Sequence, residues 1–507
     1  MKIKKLTKIN NLKKKIELLK KNNKKIVLCH GVFDLTHVGH HRYFKAAKSY
    51  GDYLVVSLTV DKFVNKGYDR PFFNQFYRAE SLSSLDFVDF IIFSHEASAV
   101  SVINQLKPDY YAKGKEYQNE ENDISKKIIL EKKAVKKNNG KTVFIDEQVF
   151  SSSKILNNSD LIFNKEQKKF LSELKKKYTY IDVLNYLKSL ENTKTLIIGE
   201  IIIDKYIYVE ALGKSGKEPY LAFNEISQET YLGGAAAIAR QTYQFANNVR
   251  LISMIGEKKE FLNFLNTELG NKIKKSLILK NNSPTIIKKR FIDNISRHKI
   301  FGTYIFNDSP LIKSQEIKFK KLINSFSKNN YLIIISDYGH GFISSEAAKK
   351  LSKLKNFISL NAQINAANVG YHTLRKYLRA DTMIINKQEL RHEMRNKESN
   401  IIELAKLFIK NMRINNLIIT MGSEGAILIS KNNEQIYCPA FVNTAIDKVG
   451  AGDTMLSLLS LCLKNKVPKD LSLFLGSVIG AMSVRIMANK KSIMREDLLK
   501  KIEYMFK

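Results

Sequence analysis

The 507-residue sequence predicts an α/β protein of two domains, each a sheet flanked by helices, the second carrying a small β lid. Three observations carry that expectation. Short apolar runs of strand length alternate with segments of helical spacing, first over residues 25–156 and again over 193–507. Between them, residues 157–192 are polar and lysine-rich, with helical spacing and no strand pattern, which marks a helical linker. The length itself exceeds what one hydrophobic core ordinarily organises.

Residues 1–24 place Ile3, Leu6, Ile9, Leu12, Ile16 and Leu19 at steps of three or four with lysines on the other faces. That spacing predicts an amphipathic helix, docked on its own domain or on a partner subunit more often than on a membrane. The strands "KIVLCHGVFD", "DYLVVSLTVD", "VDFIIFS", "PDYYAKG" and "KTVFID" follow, with helices at "HHRYFKAAKSYG" and around Tyr77 to Leu85. Strand and helix in turn imply a parallel sheet with crossover helices. The second series runs through "TKTLIIGEIIID", "VRLISMIG", "YLIIISDYG", "NFISLNA", "TMIIN" and "NLIITMG". Polar strands near 205–210 and 219–231 predict the lid. The apolar stretch "LFLGSVIGAMSVRIMA" is short and carries Arg485, so it reads as a buried helix.

Composition narrows the function classes. No apolar run approaches the roughly 20 uncharged residues of a membrane span, and no secretory signal is visible. Cys29, Cys438 and Cys462 have no metal-ligand spacing and suggest no disulfide framework, which points to a reducing cytoplasm. The net charge of +35 comes from lysines dispersed among Asn and Ile, without a zinc-finger or aromatic RNA-binding signature. No specific nucleic acid partner is therefore expected, while phosphorylated substrates would benefit from the field.

Two short stretches carry the chemistry. In "CHGVFDLTHVGHHRYFKAAK", His37 and His40 sit three residues apart where a strand gives way to a helix, and Gly39 lets the backbone approach a ligand. Free amides and the positive helix end make such a point a phosphate site, where two imidazoles can hold charge building on an α-phosphate. In "DKVGAGDTM", Gly450 and Gly452 open an apolar helix beside Asp453, a carboxylate placed to take a proton from a hydroxyl attacking the γ-phosphate of ATP.

The company of each stretch identifies a family resemblance. "GVFDLTHVGH", "GDYLVVSLTVD", "KGYDRPF", "YRAESL" and "AKGKEY" resemble, in order and spacing, the cytidylyltransferase-like nucleotidyltransferases, which have Rossmann-like domains. The resemblance implies that Gly31, Phe33, Asp34, His37 and His40 surround a nucleotide triphosphate, that Lys45 and Arg78 neutralise phosphates, and that Lys113 and Gly114 lie near the nucleotide. The family's closing Arg-Thr-x-Gly-x-Ser-Thr segment is replaced by "EQVFSSSKI", which keeps Ser151, Ser152 and Ser153 but lacks the arginine and glycine. The implied reaction is direct displacement at the α-phosphorus with loss of pyrophosphate, drawing on magnesium and ATP or CTP.

"IGEIIID", "YLGGAAAIA", "SDYGHG", "NKQEL", "TMGSEG" and "VGAGDT" resemble the ribokinase-like sugar kinases, the PfkB family. This implies ATP as phosphoryl donor and Asp453 as general base. The amides of Gly450, Ala451 and Gly452 would form the anion hole. Asn386 and Glu389 would arrange magnesium through water, Gly422 and Gly425 would lie near the nucleotide, and Asp204, Gly233 and Gly234 would line the sugar. Two departures stand out: Ala237 where relatives place a sugar-contacting Asn, and Asn361-Ala362-Gln363 where they commonly have Asp-Pro-Lys. An altered substrate is the expectation, because base, anion hole and magnesium residues are all present.

The pairing resembles the bifunctional heptose-phosphate kinase and heptose 1-phosphate adenylyltransferase family of ADP-heptose synthesis, with the domain order reversed. It implies small sugar phosphates and nucleotides as partners and a product destined for a bacterial surface polysaccharide. Self-association as a homodimer is a common property of ribokinase-like proteins. The alternative reading is a CTP-dependent enzyme acting on a small phosphorylated alcohol such as glycerol 3-phosphate, its second half a silent sugar-binding or dimerisation module.

Overall fold

The computed structural model describes residues 3–64, 71–115, 118, 127–145, 163–327, 331–364, 368, 372–442 and 445–506. The chain forms two compact units, Met1–Ile162 and Phe163–Lys507.

The first unit is Rossmann-like. Its strands β1 (Ile26–Gly31), β2 (Tyr53–Thr59), β3 (Phe90–Ser94), β4 (Tyr110–Gly114) and β5 (Lys141–Ile145) form a sheet of order β3-β2-β1-β4-β5. All its pairings are parallel. The near-continuous apolar runs of β1 and β2 follow from that: parallel strands covered on both faces have no solvent side to make polar. The order reverses between β1 and β4, so a crevice opens at their carboxyl ends, where Gly31 and Gly114 stand.

The amphipathic N-terminal helix is Ile9–Lys21, and it docks on its own unit, burying Leu12 and Ile16 among Ile26, Leu28, Val55 and Ile92. Just before it, Ile91 Nα donates to the Lys5 carbonyl and Thr7 Nα to the Ile91 carbonyl, both at 2.9 Å. These bonds cover the free edge of β3, which would otherwise invite pairing with another chain.

The second unit opens with helices Lys165–Lys177 and Tyr180–Ser189, each begun by a capping box, Asn164 with Gln167 and Thr179 with Asp182. Of the residues expected as a linker, 163–192 pack into this unit: Leu171, Leu174, Val183 and Leu187 are buried, and the Tyr178 hydroxyl donates to Asp470 at 2.8 Å. The core sheet joins β6 (Lys194–Gly199), β9 (Asn248–Gly256), β10 (Lys274–Lys280), β13 (Leu332–Asp337), β14 (Phe357–Ala362), β15 (Ala380–Asn386), β16 (Ile414–Thr420), β17 (Ala426–Ser430) and β18 (Gln435–Cys438). Its order is β10-β9-β6-β13-β14-β15-β16-β17-β18. It is parallel from β10 to β16 and antiparallel at β17 and β18, so the sheet is mixed.

The lid is a separate four-stranded sheet, β12-β11-β7-β8, made of β7 (Ile201–Lys214), β8 (Leu221–Gly233), β11 (Ile286–Asp293) and β12 (Lys299–Ile305). The run expected as one strand, "TKTLIIGEIIID", divides at Glu200: β6 stays in the core sheet and β7 turns into the lid. The "LFLGSVIGAMSVRIMA" stretch is mostly the buried helix Lys469–Ser483, and no helix of the described residues is long and apolar enough to cross a membrane.

Candidate active sites

At the crevice of the first unit, β1 ends in Gly31, and the Phe33 ring lies so close that a Cβ on Gly31 would meet its Cζ at 2.9 Å. Phe33 itself has a positive φ of 45°, a tight reversal that sets its ring against His40 and Phe44. Asp34 is buried and accepts from Phe72 Nα at 2.8 Å and Phe73 Nα at 2.9 Å, so it fastens the 71–73 loop to the site.

His37 is the N-cap of the helix Val38–Lys48, its Nδ1 accepting from Gly39 Nα at 3.1 Å. A neutral imidazole that accepts at Nδ1 carries its proton on Nε2. That Nε2 is buried without a hydrogen-bond partner among the described residues, a donor suited to a phosphate oxygen. Burial, then the neighbouring His41, holds the His37 pKa below its ordinary value and favours the neutral form. The His40 ring lies 4.1 Å away, centroid to centroid. The structure therefore brings Gly31, Phe33, Asp34, His37 and His40 together.

The remaining positions are more dispersed. Lys45 is exposed in the last turn of the same helix. Lys113, one residue before Gly114 at the end of β4, pairs with the buried Glu131 at 3.1 Å. Ser151, Ser152 and Ser153 lie outside the described residues.

Arg78 faces inward, with 1% of its surface exposed. Its Nε donates to the Phe73 carbonyl at 2.9 Å, Nη1 to the Val32 carbonyl at 2.5 Å, and Nη2 to the Thr59 carbonyl at 2.9 Å and to Asp61 at 2.7 Å. Such a guanidinium braces the loops after β1 and β2 and does not reach out to a bound phosphate, unlike the role the family resemblance implies. Arg78→Met is expected to destabilise this unit by about 3–5 kcal/mol, read as a lower urea midpoint, because it strands three carbonyls, while the partly exposed Asp61 returns to water.

In the second unit, the helix Ala451–Lys464 starts from Gly450, whose φ of 82° suits glycine. A Cβ there would meet Asn489 Oδ1 at 2.1 Å, while one on Gly452 would meet nothing within 4 Å, leaving that turn open to a ligand. Asp453 accepts a hydrogen bond from the Tyr338 hydroxyl at 2.8 Å. Burial raises the Asp453 pKa to about 6, the Tyr338 bond opposing and Asp204 adding to the rise. Asp447 fixes the loop before this helix: its carboxylate accepts from Val449 Nα, Ala488 Nα, the Tyr206 hydroxyl at 2.6 Å and Lys299 Nζ at 2.6 Å. Tyr206 and Lys299 belong to β7 and β12, so one buried carboxylate ties the lid to the anion-hole turn.

Asp204 on β7 is ion-paired with Arg290 on β11. Gly233 must be glycine, since its Cβ would sit 2.4 Å from Asp204 Oδ2, and Gly234 follows at φ 58°. Asn386 caps the helix Lys387–Met394 in a capping box with Glu389. Burial raises the Glu389 pKa to about 7, with Asp453 adding to the rise. Gly422 and Gly425 flank the 3₁₀ turn between β16 and β17. Ala237 lines one pocket with Asp453, Thr454, Arg240 and Asn489, so the departure from the usual Asn falls beside the base. Asn361 closes β14's carboxyl end by donating to the Ile384 carbonyl at 2.8 Å.

Comparison with known proteins agrees with both readings. The model of the pfkB family carbohydrate kinases matches residues 192–490, more than half of the chain. The chain belongs to the pfkB family. The cytidylyltransferase-like model matches residues 28–158 of this pfkB-family chain. Bifunctional protein HldE of Campylobacter jejuni strain RM1221 is 38% identical over 152 residues in the N-terminal part, 29% of this chain and 31% of that protein. The chain thus matches less than a third of that relative's length. An uncharacterized sugar kinase of Buchnera aphidicola is 25% identical over 281 residues, 55% of this chain and 86% of that one. Phosphofructokinase-2 from Escherichia coli in complex with potassium covers 62% of this chain with a TM-score of 0.50 at 13% identity, a likeness of fold.

The sequence carries no sign of the partners of four pfkB-domain residues: Tyr338, Lys288, Arg290 and Asp447 reach the base, the sugar position or the anion-hole turn from segments far apart in the chain. "SDYGHG" and "DKVGAGD" did mark Tyr338 and Asp447 as members of motifs, but no periodicity assigned either side chain a partner.

Proposed function

We propose that this chain is a cytoplasmic bifunctional enzyme of nucleotide-sugar synthesis. The second unit phosphorylates a heptose-type sugar phosphate with ATP, and the first transfers a nucleotidyl group to a sugar 1-phosphate with release of pyrophosphate. The observation that carries this reading is Asp453, half-buried, bonded to Tyr338 and set at a glycine-opened helix start, in one chain with the His37–His40 pair. The similarity to HldE supports the pairing of chemistries. All three cysteines are buried and unbridged, in keeping with a reducing compartment.

In the kinase cleft Asp453 takes the proton from the acceptor hydroxyl as its oxygen attacks the γ-phosphorus, and the amides of the Gly450–Gly452 turn receive the charge of the transferring group. Magnesium suits Glu389, a carboxylate whose ionisation burial makes costly, with Asp453 adding to that cost. Among the described residues no three or more His, Cys, Asp or Glu converge as direct ligands, so Asn386 and Glu389 would hold the ion through water. The bound ion would neutralise charge on the nucleotide phosphates. In the other unit the Nε2 of His37 and the His40 ring would stabilise the α-phosphate while the acceptor phosphate oxygen displaces pyrophosphate.

The pH dependence follows from Asp453. A base must be ionised to accept a proton, so phosphoryl transfer is expected to fall about tenfold per pH unit below about pH 6 and to level off above it. The Tyr338 hydrogen bond lowers the Asp453 pKa, so Tyr338→Phe should move that limb to higher pH in kcat/KM profiles.

Mass spectrometry of products from full-length protein with ATP, CTP, magnesium and heptose, hexose and polyol phosphates tests the whole reading. A sugar bisphosphate lost in Asp453→Ala and a nucleotide sugar lost in His40→Ala are expected. Nucleotidyl transfer with no new phosphorylated sugar across the panel would overturn the kinase assignment.

A further inference from the structure

Lys288, on β11 in register with Asp204 of β7, is 7% exposed and close enough to Asp453 to favour that carboxylate's ionised form. Asp204 is already paired with Arg290. Among the described residues no acceptor hydrogen-bonds the Lys288 ammonium and no carboxylate lies at ion-pair distance. It rests over two rings, 5.6 Å from the Tyr304 centroid and 5.8 Å from that of Tyr338, whose hydroxyl holds the base Asp453. These two cation–π contacts and the longer-range attraction of Asp204, Asp453 and Glu200 leave the ammonium without a hydrogen-bond acceptor, and burial holds its pKa below the ordinary value.

The groups around it deepen the imbalance. Lys280, 3% exposed, donates only to neutral carbonyls, those of Asn307 at 2.5 Å and His340 at 3.2 Å. His340 is 1% exposed, and neither ring nitrogen has a hydrogen-bond partner among the described residues. Burial, then Lys288, pushes the His340 pKa down to about 4, so the ring is neutral and offers one N–H. Of the carboxylates that attract Lys288, Asp204 is paired with Arg290, Glu200 accepts from Tyr338 Nα and His340 Nα, and Asp453 accepts from the Tyr338 hydroxyl.

We propose that Lys288, backed by Lys280 and His340, forms a subsite for the oxygens of a phosphoryl group in the kinase cleft. This rests on the kinase reading given above. The same chemistry has two sources, a phosphate ester already on the acceptor or the γ-phosphoryl group arriving from ATP.

The test has a binding arm and a kinetic arm. In the first, acetic anhydride labels lysines of the full-length wild-type protein with and without inorganic phosphate, and Lys288 is followed on its own peptide. Phosphate is expected to slow Lys288 labelling by at least about threefold, a protection set by occupancy. In the second, Lys288→Met is assayed with a sugar phosphate and the corresponding free sugar. A KM raised at least about tenfold for the sugar phosphate alone assigns the subsite to the acceptor; a kcat lowered equally with both acceptors assigns it to the transferring group. Lys288→Arg, which keeps the charge, should retain part of the activity and so separates charge from packing. Unchanged labelling, or Lys288→Met constants within about twofold of wild type, would overturn the proposal. Protection without any phosphoryl transfer by the wild type would leave the subsite standing and remove the kinase reading.

Discussion

Asp453→Asn is expected to lower phosphoryl transfer by about 10²–10⁴-fold at saturating substrates, the range a lost general base commonly costs. The amide keeps the shape of the carboxylate and still accepts the Tyr338 hydroxyl, so the change removes basicity and little else. Desolvation of the half-buried Asp453 makes its ionisation costly and Asp204 adds to that cost, and a neutral side chain relieves both. Thermal unfolding should therefore stay at or above that of the wild type. ADP release in a coupled assay, with calorimetric unfolding alongside, checks both halves of the expectation. A variant within about tenfold of wild type would show that another group takes the proton.

His40→Ala is expected to reduce pyrophosphate release from the nucleotidyl reaction by about 10²–10³-fold while phosphoryl transfer continues. That magnitude is the usual consequence of deleting one donor aimed at charge that develops in the transition state. His37 is the less clean target, because its Nδ1 also caps the helix and its removal adds a folding cost of about 1 kcal/mol. Retention of kinase activity is the informative control, since the second unit has its own sheets and core. Loss of both reactions in His40→Ala would point to a folding defect and not to chemistry.

The parts of the fold legible in the sequence are those whose burial is uniform. Strands such as β1 and β13 are buried along nearly their whole length and open with continuous apolar runs, Ile26–Cys29 and Leu332–Ile335, because helices cover both faces. The lid shows the converse. β12, "KIFGTYI", is exposed at every position, and β11, "IIKKRFID", turns charged side chains toward the cleft, so neither carries the pattern of a core strand. Lys288 and Arg290 were illegible for that reason. The site was legible wherever a glycine and a charged residue share one short turn, as in "VGAGD". Arg78 shows the limit of residue type as a guide: the chemistry that suits an arginine to phosphate also suits it to three backbone carbonyls, and only burial distinguishes the two.

Among the described residues each unit completes its own sheets, and no strand is shared between them. In genetic terms, strand pairing places no constraint on the order of the two halves along the gene. A fusion in either order would encode the same pair of folding problems, with no strand left waiting for a partner from the far end of the message. What joining them does secure is stoichiometry, since every ribosome that finishes one half has been committed to the other.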